Sequence, residues 1–161
     1  MRVKHPFKPI YNKNSKILIL GSFPSIKSRE DNFYYAHPQN RFWKVLKKVF
    51  CDEVELNTKD DKTKFLLKHN VAIWDSIKEC DIENSDDSSI KNAIPNDIGK
   101  ILNESNITKI FCNGRASYKV FKKYYKNKLD IKIDVLPSTS PANAKYSVDN
   151  LAKIWKEKIE E

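Results

Sequence analysis

The amino-acid sequence predicts an α/β fold built around a mostly parallel β-sheet. Four short segments, 17–20, 71–74, 109–112 and 131–136, are rich in β-branched and other apolar residues, which is typical of buried strands. Segments with helical spacing lie between them, and this alternation favours parallel strands joined by helices. A chain of 161 residues is long enough for one well-packed core, so we expect a single domain over 1–161.

Five segments have the spacing of amphipathic helices: 41–50, 60–69, 96–103, 116–125 and 147–158. In the first of them, Phe42, Val45, Leu46 and Val49 fall on one face. In the last, Ser147 stands where a helix N-cap is expected. The segment 79–92 is polar and acidic, and we expect it to be a surface excursion.

The chain carries a formal net charge of +9, which favours a polyanionic partner, either nucleic acid or a membrane surface. Its lysine excess is also typical of AT-rich codon usage, so charge alone does not decide between DNA binding and a solvated surface. No stretch approaches the ~20 apolar residues of a membrane helix. The N-terminus carries no apolar signal-peptide core. We therefore expect a cytoplasmic, nucleoid-associated protein that does not bind membranes.

The cysteines and histidines predict neither a metal site nor a cluster. Cys51, Cys80 and Cys112 are odd in number and widely spaced, as expected for reduced thiols in the cytosol. The three histidines show no metal-binding spacing. We expect no metal and no cofactor.

Polar residues follow the predicted strands. The loops 21–25, 113–115 and 137–143 come after three of them, and Asp75 follows the fourth. In a parallel sheet the carboxyl ends of the strands share one edge, where functional groups usually lie. The sequence therefore predicts a site at this edge.

Three motifs stand out in the chain: Gly-Ser-Phe-Pro-Ser at 21–25, Tyr-Tyr-Ala-His-Pro-Gln-Asn-Arg-Phe-Trp at 34–43 and Ser-Thr-Ser-Pro-Ala-Asn at 138–143. They resemble motifs of the uracil-DNA glycosylase superfamily, and most of all those of its hypoxanthine (deoxyinosine) DNA glycosylase branch. Segments 74–76 and 87–92 are similar to the same branch. The runs 37–44 and 111–115 are also similar to the mismatch-specific uracil/thymine glycosylases.

The resemblance spans nearly the whole chain and implies a three-layer α/β/α fold with a central four-stranded, mostly parallel sheet. It also implies a monofunctional enzyme without a cofactor. Such an enzyme flips a deaminated base out of double-stranded DNA and hydrolyses its N-glycosidic bond, which leaves an abasic site. We expect it to act as a monomer.

The resemblance implies that Asn40 is the catalytic residue. In the uracil-directed relatives a water-positioning Asp or Asn occupies the third place of the Gly-x-x-Pro motif, but here that place is Phe23, which cannot polarise water. The hypoxanthine branch is thought to use the asparagine that corresponds to Asn40. Spacing alone favours a capping role for Asn40 before the helix 41–50, and the two roles are compatible.

The other candidate site residues fall into two groups. The base-pocket candidates are Gly21, Ser22, Phe23, Pro24, Tyr35, His37, Asp75 and Asn113. The DNA-contact candidates are Ser25, Arg115, Ser138, Thr139, Ser140, Pro141, Ala142, Asn143 and Lys145.

Several of these candidates have a second interpretation. The resemblance implies that Tyr35 stacks on the extruded base, although a core position is the usual fate of a tyrosine. Asn113 suits the edge of a purine, and equally an Asn-Gly turn. Asp75 suits the pocket or a helix cap, and an isolated His37 is more often structural. Ala142 lies near the place of the wedge residue of some relatives and is a poor wedge.

Four functions compete. The first is release of hypoxanthine, with xanthine or uracil as further substrates. The second is a mismatch-specific uracil-DNA glycosylase, which Phe23 argues against. The third is a catalytically silent DNA-binding relative. The fourth is an unrelated flavodoxin-like protein that binds a nucleotide or phosphate, which the three glycines and the lack of a GxGxxG or Walker A run disfavour.

Overall fold

The computed structural model describes residues 1–125 and 128–161. In these ranges the strands are Arg2–Lys4 (β1), Ile17–Gly21 (β2), Val71–Asp75 (β3), Ile77–Asp81 (β4), Lys91–Pro95 (β5), Lys109–Asn113 (β6) and Lys132–Leu136 (β7). The α-helices are Ile26–Asp31 (α1), Phe42–Val49 (α2), Lys59–Lys68 (α3), Ile98–Asn103 (α4), Arg115–Tyr125 (α5) and Val148–Glu160 (α6), and a 3-10 helix spans Asp87–Ser89. No helix of the described ranges is long and apolar enough to cross a membrane.

The central sheet has four parallel strands in the order β3-β2-β6-β7. Successive residues of β2 point to opposite faces, as the period of a strand requires. Ile19 therefore packs on one side with residues of α2, α3 and α6. Leu18 and Leu20 pack on the other side with residues of α4 and α5. The predicted three-layer α/β fold with four parallel strands is confirmed.

Local sequence explains several helix boundaries. Thr58 and Asp61 form a capping box at the start of α3, in which each side chain accepts a hydrogen bond from the other residue's backbone N–H. The predicted cap of the last helix is confirmed, because the Ser147 Oγ accepts from the Asn150 N–H at 3.1 Å. The α4 helix is shorter than predicted and takes Asp97 as its cap. The α1 helix, capped by Ser25, was not predicted.

The segment 79–92 is not only a surface excursion, and this prediction was incomplete. It contains most of β4, the 3-10 helix and the start of β5, and β4 pairs antiparallel with β1 and β5 in a second sheet. Cys80, Ile82 and Ile90 are buried beneath it. The outer strands β1 and β5 contain no fully buried residue and β4 buries only Ile77 and Cys80, so the exposed charged side chains hid these strands in the sequence.

The four parallel strands end at Gly21, Asp75, Asn113 and Leu136, on one edge of the central sheet. The loops that follow these strands, together with the 3-10 helix, surround a cleft at that edge. This arrangement brings together residues that are far apart in the chain.

Candidate active site

A cleft of about 650 Å³ lies at the carboxyl edge of the central sheet. Among the predicted site residues, those that line it are Gly21, Ser22, Phe23, Pro24, Ser25, Tyr35, His37, Asn40, Asp75, Asn113, Arg115, Ser138, Thr139, Ser140, Pro141, Ala142 and Asn143. The structure places Lys145 outside it, in an adjacent cleft of about 620 Å³ that Arg115, Ser138 and Asn143 also line. The sequence therefore predicted most of the lining.

Asn40 is held in an amide and hydroxyl network. Its Oδ1 accepts from the Thr139 hydroxyl at 2.9 Å and from the Phe42 backbone N–H at 3.0 Å. The Phe42 bond ties Asn40 to the first turn of α2, so the capping interpretation describes part of its geometry. Its NH2 group has no hydrogen-bond partner among residues 1–125 and 128–161. The amide is oriented by its oxygen, and its donor group remains available at the cleft.

Asn113 completes this network from the end of β6. Its Nδ2 donates to the Thr139 Oγ1 at 3.0 Å, and its Oδ1 accepts from the Thr139 backbone N–H at 3.1 Å. Both polar atoms of the amide therefore bind one residue, and its second N–H, which lies near the Tyr35 hydroxyl, is left for a single further acceptor. The turn interpretation also holds in part. Gly114 has a φ of 96°, and a Cβ there would lie 2.9 Å from the Ser138 Cβ.

Arg41 anchors the loop 138–146 to the start of α2. Its guanidinium donates to four backbone carbonyls, those of Thr139, Ser140, Asn143 and Tyr146, and its own backbone N–H also donates to Thr139. An arginine suits this task because its planar group carries five donors in a fixed geometry. The sequence analysis assigned Arg41 no role beyond the motif that contains it.

Tyr35 forms part of the cleft floor in a left-handed backbone conformation, with a φ of 50°. Its ring stacks on Phe42 with 3.9 Å between centroids. Its hydroxyl is buried and has no hydrogen-bond partner in the part of the chain that the structure describes. Burial, and then the nearby Asp75 carboxylate, raise the pKa of this phenol. Tyr35 therefore stays protonated at neutral pH, with an unused donor beside the cleft.

Asp75 is paired with a residue that the sequence analysis missed. The His5 Nε2 lies 2.7 Å from the Asp75 Oδ2, and both side chains are almost fully buried. The other oxygen, Oδ1, lies against Gly21, where a Cβ would be only 2.4 Å away. His5 follows β1 and reaches the site because its backbone N–H bonds to Lys78 of β4. A lone histidine in the N-terminal segment carries no local signal for this role.

Asp87 is a second carboxyl group in the lining, and it too was missed. Its Oδ2 accepts from the Ser22 hydroxyl at 2.5 Å. Burial, and to a lesser extent Asp75 and Asp86, raise the pKa of the Asp87 carboxyl to about 6, although the Ser22 hydrogen bond opposes the shift. Asp87 was missed because the segment 79–92 was expected to be a surface excursion. The resemblance of segment 87–92 to the hypoxanthine branch was the sequence feature that could have identified it.

Phe23, His37 and Ser25 have structural partners as well as positions in the cleft. Phe23 is buried among the apolar residues beneath the second sheet, so it forms a wall and cannot hold water. The His37 Nδ1 accepts from the Gln39 backbone N–H at 3.1 Å. The Ser25 hydroxyl accepts from the Ser28 N–H at the start of α1. These contacts set the shape of the loops around the cleft.

Comparisons with known proteins agree with this geometry. The family model of the Uracil DNA glycosylase superfamily matches residues 8–158. A hypoxanthine DNA glycosylase of Methanosarcina acetivorans is 30% identical over 146 residues, which cover 90% of this chain and 91% of that protein. A hypoxanthine DNA glycosylase of Methanosarcina barkeri is 29% identical over 115 residues, 71% of this chain and 73% of that protein.

A solved structure shows the same fold. The solution NMR structure of a candidate uracil DNA glycosylase from Methanosarcina acetivorans superposes with a TM-score of 0.79 and 27% identity, and the match covers 98% of each chain. The resemblance seen in the sequence motifs is thereby confirmed.

Proposed function

Because the chain belongs to the Uracil DNA glycosylase superfamily, we propose that it is a monofunctional DNA glycosylase that releases hypoxanthine from deoxyinosine in double-stranded DNA. Two relatives that bear the name hypoxanthine DNA glycosylase support this substrate. The observation that carries the proposal is the division of roles in the cleft. Phe23 is an apolar wall at the place where uracil-directed relatives hold water, and the Asn40 amide is available in the same cleft.

Asn40 has the geometry to position the attacking water. Cleavage of the N-glycosidic bond builds positive charge on the sugar, and the water must stand against the anomeric carbon. The Thr139 and Phe42 hydrogen bonds hold the Asn40 oxygen, so its free NH2 group can bind the water oxygen in a fixed direction. A neutral amide needs no shifted pKa to do this.

Asn113 supports a preference for hypoxanthine over adenine. Its remaining N–H can donate to a carbonyl oxygen such as O6 of hypoxanthine, but not to the amino group that adenine carries at that position. The Thr139 backbone N–H requires the amide oxygen to stay where it is, which disfavours a flip of the amide. The Asn113 orientation therefore distinguishes the deaminated purine from its parent base.

The rim of the cleft suits DNA. The Ser138 and Ser140 hydroxyls of the loop 138–143 each accept one backbone N–H and can still donate. With the cationic side chains of Arg115 and Lys145 close by, they match the phosphates beside a flipped nucleotide. The net charge of +9 adds long-range attraction to the duplex.

The test uses the purified protein and duplexes that carry deoxyinosine, deoxyxanthosine, deoxyuridine or no lesion, followed by alkaline cleavage of abasic sites. Cleavage led by the deoxyinosine duplex is the expected result. Cleavage led by deoxyuridine would replace the proposal with the mismatch-specific uracil enzyme. Binding to all duplexes without cleavage of any would identify a silent DNA-binding relative.

A further inference from the structure

The charge of the cleft is unfavourable for a base that leaves as an anion. Asp75 and Asp87 both line the cleft, and among the described residues Arg115 is its only lysine or arginine, on an exposed side chain. A base that departs with the electron pair of the glycosidic bond would face two carboxyl groups. A base that receives a proton as it departs would leave neutral, which suits this lining better.

Of the two carboxyl groups, Asp87 is the one that is free to carry a proton to the base. Asp75 is committed through Oδ2 to His5 and lies with Oδ1 against Gly21. Asp87 receives a single hydrogen bond, from Ser22 to Oδ2, and its Oδ1 has no partner among the described residues. The short 3-10 helix that begins at Asp87 holds this side chain at the cleft.

Burial and two neighbouring carboxyl groups favour the protonated form of Asp87, and the Ser22 hydrogen bond opposes this shift without reversing it. Asp75 faces it from the end of β3, and Asp86 precedes it on its own turn. From α5, Arg115 lines the cleft, and Tyr124 packs against the apolar residues beside the turn. From α1, the Arg29 guanidinium is occupied by the carbonyls of the two flanking loops. No described cation forms a salt bridge with Asp87, and burial raises its pKa to about 6.

We propose that Asp87 is a catalytic residue that donates its carboxyl proton to N7 of the departing purine, which extends the proposed function and depends on it. The electron pair of the C1′–N9 bond passes to the purine ring, and the Asp87 proton forms the new N7–H bond. Water adds its oxygen to C1′ and releases one proton to solvent. Solvent then returns a proton to Asp87, so that one water is consumed and neutral hypoxanthine leaves.

This assignment explains a preference for purines within the same cleft. Uracil has no ring nitrogen that corresponds to N7, so the Asp87 proton has no equivalent acceptor there. A deaminated purine gains from Asp87, whereas uracil meets only its repulsive charge when the carboxyl group is ionised. The proposed substrate class therefore follows from the position of this carboxyl group as well as from Phe23.

Single-turnover rates on deoxyinosine and 7-deaza-deoxyinosine duplexes between pH 5 and 9 test the proposal. Because the protonated carboxyl group is the active form, the wild-type rate on deoxyinosine should fall about tenfold per pH unit above about pH 6. Asp87→Asn keeps the size of the side chain and the oxygen that accepts from Ser22. Its single-turnover rate on deoxyinosine at pH 6 should be lower by about 100-fold or more and should no longer depend on pH in this way. Glu83→Gln, at an exposed acidic residue of the same segment that does not line the cleft, should behave like the wild type.

The 7-deaza base identifies the atom that receives the proton. The wild type should cleave it about 100-fold more slowly than deoxyinosine, and Asp87→Asn should cleave both duplexes equally slowly. Wild-type rates in Asp87→Asn, or a persistent preference of this variant for the base with N7, would overturn the assignment. If the wild type releases no hypoxanthine at all, the proposed function itself fails, and this outcome is distinct from the other two.

Discussion

At the scale of single residues, the candidate site contains side chains that are held by one part of the group while another part has no partner among the described residues. Asn40 shows this most directly, since its oxygen is held by Thr139 and by the first turn of α2 and its NH2 group is not held. Tyr35 has a comparable arrangement, with one ring face on Phe42 and an unused hydroxyl. In the proposed reaction such groups would be oriented before substrate arrives, which lowers the cost of binding the transition state.

Removal of the Asn40 amide should separate catalysis from folding. Asn40→Ala is expected to lower the single-turnover rate on a deoxyinosine duplex by about 100-fold or more, because the water loses its positioning group. Loss of the bonds from Phe42 and from the buried Thr139 hydroxyl should lower the free energy of unfolding by about 1–3 kcal/mol. The matched control is Gln39→Ala, an exposed neighbour. A wild-type rate in Asn40→Ala would refute the catalytic role.

Gly21 is expected to be intolerant of any side chain. In Gly21→Ala the new Cβ would stand 2.4 Å from the buried Asp75 Oδ1, so the His5–Asp75 pair must shift, at about 1–3 kcal/mol of stability. Gly99→Ala is the control, because its Cβ would meet only Asp97 at 3.5 Å and lies in α4, where alanine should add about 0.5–1 kcal/mol. Urea unfolding of both variants measures the contrast, and equal effects would contradict it.

At the scale of elements, the loop after β7 is shaped by α2. Arg41 at the start of α2 binds four of its carbonyls, and Gly114 at the start of α5 allows it to approach β6 closely. The cleft is therefore built where two helix starts meet one loop. This explains why residues of the second and third motifs lie together although 99 positions separate Asn40 from Thr139.

Arg41→Lys should loosen this loop without unfolding the domain. A lysine has one ammonium group and cannot reach four carbonyls at once, so the amides of 140–143 should exchange hydrogen faster by about tenfold or more. Exchange of the β2 amides should not change. Lys44→Ala, at an exposed residue of α2, is the control and should leave the exchange of the loop amides unchanged. Unchanged exchange in the loop of Arg41→Lys would show that Arg41 does not anchor it.

At the scale of the whole molecule, two sheets share the site. The parallel sheet supplies Gly21, Asp75 and Asn113, and the segments beside the antiparallel sheet bring His5 against Asp75 and Asp87 into the cleft lining. Burial of the Asp87 carboxyl group disfavours its charged form, a cost to stability that is common where function requires such a group.

The free energy of unfolding should depend on pH in a way that reveals the burial of the Asp87 carboxyl group. The pKa of Asp87 is raised to about 6 in the folded protein, so the folded state binds a proton more tightly than the unfolded state. Its contribution to stability is therefore present at low pH and is lost as pH rises through about 6, on the order of 2 kcal/mol between pH 4 and 7. Asp87→Asn should abolish this component.

Asp86→Asn is the matched control for the stability measurement, and its effect has the opposite sign. The Ser88 hydrogen bonds lower the pKa of Asp86 in the folded protein. The contribution of Asp86 to stability is therefore present at pH values above the ordinary pKa of an aspartate and is lost as the pH falls below it. Urea unfolding at pH 4, 5, 6 and 7 compares the three proteins. A parallel pH profile for the wild type and Asp87→Asn would contradict the raised pKa.

Much of the fold was accessible from local patterns. The four core strands, the helices between them and the Ser147 cap have periodicities or cap residues that operate within a few positions of the chain. The loops at the ends of the strands followed from the parallel topology. The second sheet was not accessible, because β1 and β5 contain no fully buried residue and none of its short strands has an apolar run.

By itself, the sequence determined the α/β class, the edge of the sheet where the site lies and the superfamily, because strand periodicity and contiguous motifs are local properties. Only the tertiary structure decided that His5 pairs with Asp75, 70 positions away in the chain, and that Asp87 lies in the cleft lining with a hydrogen bond from Ser22. These contacts depend on the pairing of β1 with β4 and on a turn between β4 and β5. Burial and long-range pairing arise from the packed chain as a whole, so no short segment encodes them.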